Sequence, residues 1–185
     1  MGIGFVVRGE IGVGPWTVLH QGISQKTGIA IGTADVVVSV PVLIAWLPLR
    51  QQPGVGTVAA AVLIGVATNL TVGFLPSAGG FYAGVAFVSL GVTTLALGAA
   101  IYLSADLGPG PRDGIMTGIH RKYGWSIRSV RTAMEMTVLS IGLLLGGTVG
   151  LGTIIQALSV GPLLHVFLHR FDPDGSVIVR RADGG

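Results

Sequence analysis

Two carboxylates interrupt apolar stretches of the chain. Asp35 lies shortly inside one stretch, and Glu135 lies deeper inside another, one helical turn after Arg131. Ionisable residues within membrane segments usually face an internal cavity and mark paths for ions, protons or solutes. We therefore predict that Glu135 is the functional carboxylate, with Arg131 as its resting partner and Asp35 in a lesser, separate role. The structural alternatives are an i, i+4 ion pair for Glu135 and a position near water for Asp35.

Two Gly-Pro motifs form the second group of candidates. Proline is favoured at the first position of a helix and glycine permits a tight turn before it, so each motif predicts a break followed by a new helix. A helix start within the membrane would offer free N–H groups to an anion. The alternative is a sharp turn at the membrane surface. The binding candidates are Gly14, Pro15 and Trp16 in the first motif, and Gly110, Pro111, Arg112 and Asp113 in the second.

The remaining residues indicate no catalytic chemistry. There is no Gly-x-Ser-x-Gly, no His-Glu-x-x-His and no phosphate-binding loop, the four histidines lack metal-ligand spacing, and cysteine is absent. We predict no enzyme activity, no catalytic residues, no metal and no cofactor. Asn69, Gln156 and His165 are expected to form hydrogen bonds between helices.

Composition places these residues in a membrane protein. Charged residues make up 10% of the chain and the mean hydropathy is +0.77. No charged side chain occurs between Arg50 and Asp106, or between Glu135 and Arg170. Each of these runs exceeds the roughly 20 residues that cross a bilayer. The net charge of +3 reflects basic residues at the ends of apolar segments, so we expect the lipid bilayer, and no nucleic acid, as the partner.

An internal repeat organises the chain. The offset that carries Gly12 onto Gly108 also carries Pro15 onto Pro111 and the Gly-x-Gly-Thr segment 54–57 onto 150–153. We predict a first membrane repeat over residues 1–75, a linker at 76–80, a second repeat over 81–170 and a polar tail at 171–185. The second repeat holds three apolar helices. In the first repeat only residues 1–7 represent the first of these, so we expect the native chain to start further upstream.

Three crossings per half would make the halves inverted relative to each other. The expected fold is an all-α transmembrane protein of about six helices, in two inverted three-helix repeats that each contain a Gly-Pro break. On this count Arg8 and Lys26 lie on one side of the membrane, and all other lysines and arginines lie on the opposite side. Because basic residues accumulate in cytoplasmic loops, both termini are predicted to be cytoplasmic.

The motifs resemble those of the bacterial YczE branch of the YitT-like membrane proteins. The resemblance rests on Gly12 to Trp16, Gly54 to Thr57, Gly108 to Met116, Ser126 to Glu135, and Gly146 to Thr153. It covers nearly the whole chain and implies a multi-pass protein of the bacterial plasma membrane with six helices. It implies no biochemical activity.

Inverted repeats, broken helices and buried charge are typical of transporters. We therefore expect a small-solute transporter or exporter whose site lies between the repeats. The alternative is a membrane scaffold or regulator of another system, which transports nothing. Transport requires a continuous polar path between the halves, whereas a scaffold needs only a packed bundle with an exposed docking face.

Overall fold

A computed structural model describes residues 1–105 and 108–171, and all regular elements within these ranges are α-helices. They are α1 (Gly2–Gly9), α2 (Pro15–Thr27), α3 (Ile31–Ile44), α4 (Val55–Phe74), α5 (Phe81–Ser104), α6 (Pro111–Tyr123), α7 (Ile127–Leu144) and α8 (Leu151–Phe171). The expected all-α class is confirmed. The polar tail predicted from residue 171 lies, apart from Phe171, outside the described residues.

The Gly-Pro motifs are helix starts, as their sequence predicts. Pro15 and Pro111 occupy the first turn of α2 and α6, and the glycines before them are the N-caps in extended conformation. Proline suits this position because its missing N–H would have no partner there in any case. Both helices end at a glycine in the left-handed region, Gly28 at φ 77° and Gly124 at φ 71°. The two halves therefore build their short helices in the same way.

Three of the described helices, α4, α5 and α8, are long and apolar enough to cross a membrane. A fourth crossing results if α2 and α3, which are bent by 110° at their junction, form one broken span. The expected count of six crossings is higher and stays a prediction.

The helix α3 ends before the apolar run that contains it, which continues to Leu49. α3 contains Pro41 and ends at Ile44, after which turns continue to Arg50 at φ 53°. Proline removes one backbone hydrogen bond and clashes with the preceding turn, which favours an early end. The turn is fixed by Trp46, whose Nε1 donates to the carbonyl of Pro111 at 2.8 Å.

Hydrogen bonds between the halves occur in reciprocal pairs. Thr57 Oγ1 at the start of α4 donates to the Pro109 carbonyl in the second motif at 2.7 Å. Thr153 Oγ1 at the start of α8 donates to the Val13 carbonyl in the first motif, also at 2.7 Å. The partners in one bond map onto those in the other by the repeat offset, so each half anchors the motif of the other.

Close packing follows the same reciprocity. A Cβ atom on Gly114 of α6 would overlap the Trp46 ring after α3, and one on Gly142 of α7 would lie 2.7 Å from the backbone carbon of Val18 in α2. Glycine permits this close approach because it has no Cβ. As a result α2 packs on α7 and α6 packs on the segment after α3, so the short helix of each half lies against the other half.

The buried core lies where α1, α2 and α5 meet, and its fully buried side chains are Val6, Val13, Val18, Val88 and Val92. Helices α4 and α8 instead expose large apolar side chains such as Val58, Leu63, Ile154, Leu158 and Val166. Apolar surface of this kind is matched by lipid rather than water. The core therefore holds the halves together from within, and the outer faces suit a bilayer.

Candidate functional site

The two short helices begin next to each other. Trp16 is the second residue of α2 and Arg112 is the second residue of α6. The repeat offset maps one of these residues onto the other. The guanidinium carbon of Arg112 lies 4.3 Å from the centroid of the Trp16 ring, which is a cation–π contact. Both Gly-Pro motifs therefore contribute to one site between the halves.

A partly buried ion pair crosses from one half to the other at this point. Arg112 Nη2 donates to Asp35 Oδ1 at 2.8 Å. The Asp35 side chain is 6% exposed, whereas the Arg112 side chain retains 37% exposure. A carboxylate removed from water is stable only if an opposite charge or hydrogen bonds replace its hydration. Arg112 supplies that charge, so the pair holds α3 of the first half against the start of α6 in the second.

His20 of α2 completes the cluster. Its side chain is 1% exposed, and Nδ1 lies 3.3 Å from Asp35 Oδ1 without hydrogen-bond geometry. Neither ring nitrogen has a hydrogen-bond partner among the described residues. A fully buried polar side chain without a partner is costly in a purely structural role. We define Trp16, His20, Asp35 and Arg112 as the central cluster.

Sequence reasoning assigned three members of the central cluster separately and missed His20. One signal was available, because His20 follows Trp16 by four residues in a predicted helix and such residues share a face. The Asp35 side chain is buried within the protein and does not extend to the surface of the described chain. Asp113, in the first turn of α6, lies close to the N-cap, since a Cβ on Gly110 would be 3.0 Å from its Oδ2.

Glu135 and Arg131 form a separate, more exposed pair. Arg131 Nε donates to Glu135 Oε1 at 2.9 Å, and the side chains are 63% and 39% exposed on the surface of the described chain. This is the i, i+4 pair that their spacing predicts. Asp35 belongs to neither side of this pair and contacts Arg112 instead. A functional role of Glu135 stays a prediction.

Other polar residues of the helices join neighbouring helices. Asn69 of α4 accepts from the Gly32 backbone N–H at 2.8 Å and donates to Thr33 Oγ1 at 3.0 Å, which confirms the expected link between helices. Gln156 of α8 lies against Gly14, the N-cap of α2, and its Oε1 is buried without a partner in the described part of the chain. The described residues contain no cluster of three histidines or carboxylates at metal-binding distance.

A cleft of about 310 Å³ borders the first motif. Arg8, Glu10 and Gln21 contribute polar groups to its lining, together with the backbone of Gly12 and Val13. Arg8 is fixed there, because its Nε donates to the carbonyl of Val72 at 3.0 Å. The cleft thus opens onto the segment that leads directly into the start of α2.

Apolar helices, reciprocal contacts between two halves and a buried ion pair define an integral membrane protein with a polar site between interlocked halves. Comparison places it more specifically: the chain belongs to the family of unknown function DUF6198, whose model matches residues 1–169.

Bacterial relatives support this membership. A Haemophilus influenzae protein, described as uncharacterized, is 37% identical over 169 residues, covering 91% of this chain and 78% of the relative. The uncharacterized membrane protein YczE of Bacillus subtilis is 32% identical over 169 residues, covering 90% and 79%. The resemblance to YczE expected from the motifs is confirmed. Bacillus subtilis YyaS is 26% identical over 172 residues, covering 91% and 86%. No solved structure matches the chain significantly.

Proposed function

We propose that the chain is a transporter that moves a small solute across the bacterial plasma membrane through a site between its two halves. The observation that carries the proposal is the Asp35–Arg112 pair, which joins α3 of the first half to the start of α6 in the second half. Charges are expensive within a membrane and are usually retained there for a function. Transporter sites commonly lie between repeats, at the ends of discontinuous helices. The central cluster has both properties.

The proposal includes an inverted arrangement of the repeats, and two hydrogen bonds between the halves support it. On the six-crossing count, the hydrogen bond from Thr148 N to Gln21 Oε1, at 2.9 Å, lies on one side of the membrane. The hydrogen bond from Lys122 Nζ to the Pro48 carbonyl, also at 2.9 Å, lies on the opposite side. Each bond joins two segments that the count assigns to the same side. An in-plane two-fold axis between inverted halves would also bring the starts of α2 and α6 together, as required for alternating access to one central site.

Cysteine labelling tests the orientation, because the native chain has no cysteine. Ser77→Cys and Thr148→Cys are expected to react with a membrane-impermeant maleimide in intact cells. Ser176→Cys, in the tail predicted to be cytoplasmic, is expected to react only after lysis. Labelling of Ser176→Cys in intact cells would contradict cytoplasmic termini and the six-crossing count.

Metabolite profiling tests transport itself. Cells that produce the wild-type chain are compared with cells that lack it and with cells that produce Asp35→Asn. A transporter changes the distribution of at least one solute between cell and medium, and Asp35→Asn abolishes that change at an equal protein level. Glu135→Gln, tested in parallel, decides whether the exposed pair also takes part.

A different result separates transport from a scaffold role. A scaffold depends on a packed bundle and not on a charge inside it. Identical metabolite profiles with and without the chain, or a profile that Asp35→Asn leaves unchanged, would contradict transport through the central cluster.

A further inference from the structure

We infer that the central cluster binds a small anion, such as a carboxylate, sulfate or phosphate group, at the start of α2, and that binding takes up one proton, on His20 or on Asp35. Transport of this anion rests on the proposed function. Binding of the anion is independent of it, because it follows from the groups near the start of α2.

The start of α2 is an electropositive helix end. The first N–H groups of a helix lack partners within it, and the helix dipole adds partial positive charge there. No side chain caps α2. In α6 the first turn contains Asp113, whose negative charge offsets the dipole. The repeat offset places Thr17, a neutral residue, at the corresponding position of α2. The two ends are therefore unequal, and the one at α2 remains suited to an anion.

Arg112 brings a full positive charge to the same place. It stacks on Trp16 in the first turn of α2, and it contacts Asp35 through Nη2. A guanidinium carries five N–H donors, so one hydrogen bond to Asp35 leaves donors for a second anionic group. The Arg112 side chain is 37% exposed, so it is not enclosed by protein on all sides. Asp35 thus acts as an internal anion bound to Arg112. A ligand carboxylate or phosphate would share Arg112 with Asp35 or displace Asp35 from it.

His20 gives independent evidence that a ligand or a proton binds in the central cluster. It is 1% exposed, neither ring nitrogen is hydrogen-bonded within the described residues, and it lies beside the carboxylate that Arg112 holds. Gln156 adds a side-chain amide against Gly14, with an Oε1 that also lacks a partner there. Gln156 thus lies against the N-cap of α2, and His20 is connected to the first turn of α2 through Asp35 and Arg112, so one bound group would satisfy several of these partners.

Charge balance explains why anion binding would take up a proton. Arg112 and Asp35 neutralise each other, so an added anion would leave a net negative charge in a site largely removed from water. A proton on His20 or Asp35 restores neutrality and frees Arg112 for the ligand. The charged and titratable groups that face His20 are Asp35 from α3 and Arg112 from α6, with Asp113 beside Arg112. On α7, which packs against α2, Arg131 and Glu135 pair with each other on the surface.

The test measures binding to the purified full chain in detergent. Acetate, succinate, sulfate and inorganic phosphate are titrated at constant ionic strength, with chloride as the balancing salt, and the midpoint of thermal unfolding is recorded. At least one of these anions is expected to raise the midpoint, since a ligand that binds only the folded state stabilises it. If one proton is taken up per anion, the apparent affinity falls about tenfold for each unit of pH increase over the range in which the free site is unprotonated and the occupied site is protonated.

Variants assign the effect to the proposed groups. Arg112→Gln is expected to abolish stabilisation by the anion. His20→Gln removes one of the two proton acceptors and is expected to weaken the pH dependence of binding. Arg121→Gln removes the same charge from the exposed end of α6 and is the matched control, with binding unchanged. Stabilisation by none of the four anions would overturn the inference, and so would equal loss of binding in Arg112→Gln and Arg121→Gln.

Flux into proteoliposomes separates the binding site from the transport function. An anion that binds and also enters vesicles with a proton gradient supports both claims. Binding without flux would contradict transport and leave the anion site in place. Flux of a cation or neutral solute, together with no anion binding, would contradict the anion site and leave transport in place.

Discussion

Removal of Arg112 should destabilise the chain far more than removal of its partner. Arg112→Gln leaves the carboxylate of Asp35, 6% exposed, without its counter-ion. Asp35→Asn instead leaves Arg112, whose side chain is 37% exposed. The unequal burial of the two side chains therefore predicts unequal effects of the two substitutions.

The magnitudes follow from the cost of an unpaired buried charge. Breaking a buried pair by removing one partner typically costs about 3–5 kcal/mol. We expect about 3 kcal/mol for Arg112→Gln, at the lower end because His20 can take a proton and pair with Asp35. For Asp35→Asn we expect about 1–2 kcal/mol, because the remaining charge is partly hydrated. The double variant, which places two neutral amides in contact, should recover most of the loss.

Thermal unfolding of the purified variants in detergent measures these differences. For a chain of this size about 1 kcal/mol shifts the unfolding midpoint by about 2–4 °C, so Arg112→Gln should unfold about 6–12 °C below wild type. The exposed pair provides the control: Arg131→Gln and Glu135→Gln should each cost at most about 0.5 kcal/mol. The Arg112→Gln defect should shrink as pH falls, because protonated His20 then supplies the missing positive charge.

Two results would refute this reasoning. One is an Asp35→Asn variant that is as unstable as Arg112→Gln, since burial would then not decide the cost. The other is a double variant that shows the sum of both single losses, since the two residues would then act independently.

Other substitutions test the packing between the halves. Gly114→Ala should cost about 1–3 kcal/mol because its methyl group overlaps the Trp46 ring, and the same unfolding assay should show Gly98→Ala, where no atom lies within 4 Å, to be neutral or slightly stabilising. Equal instability of the two alanine variants would contradict the packing. Thr57→Val and Thr153→Val should lose about 1 kcal/mol each, because both remove a 2.7 Å hydrogen bond to a motif carbonyl. Clearly different losses would show that the reciprocal bonds are not equivalent in energy.

Local sequence predicted the local structure well. Proline after glycine specified the starts of α2 and α6, because proline suits the first helical turn. The spacing of Arg131 and Glu135 predicted their contact, because residues four apart meet on one helix face. Pro41 is an exception, since the apolar run around it continues to Leu49 while the helix ends earlier.

Charge-free runs of the sequence determined that this is a helical membrane protein, because only apolar segments of that length match a bilayer. The repeated motifs also determined that the two halves build matching short helices. Only the tertiary structure decided which charges meet. Asp35 and Arg112 are 77 residues apart, and no periodicity within one helix relates them. They meet because each short helix packs on the opposite half, and the same packing leaves Glu135 on the surface and buries His20 beside Asp35.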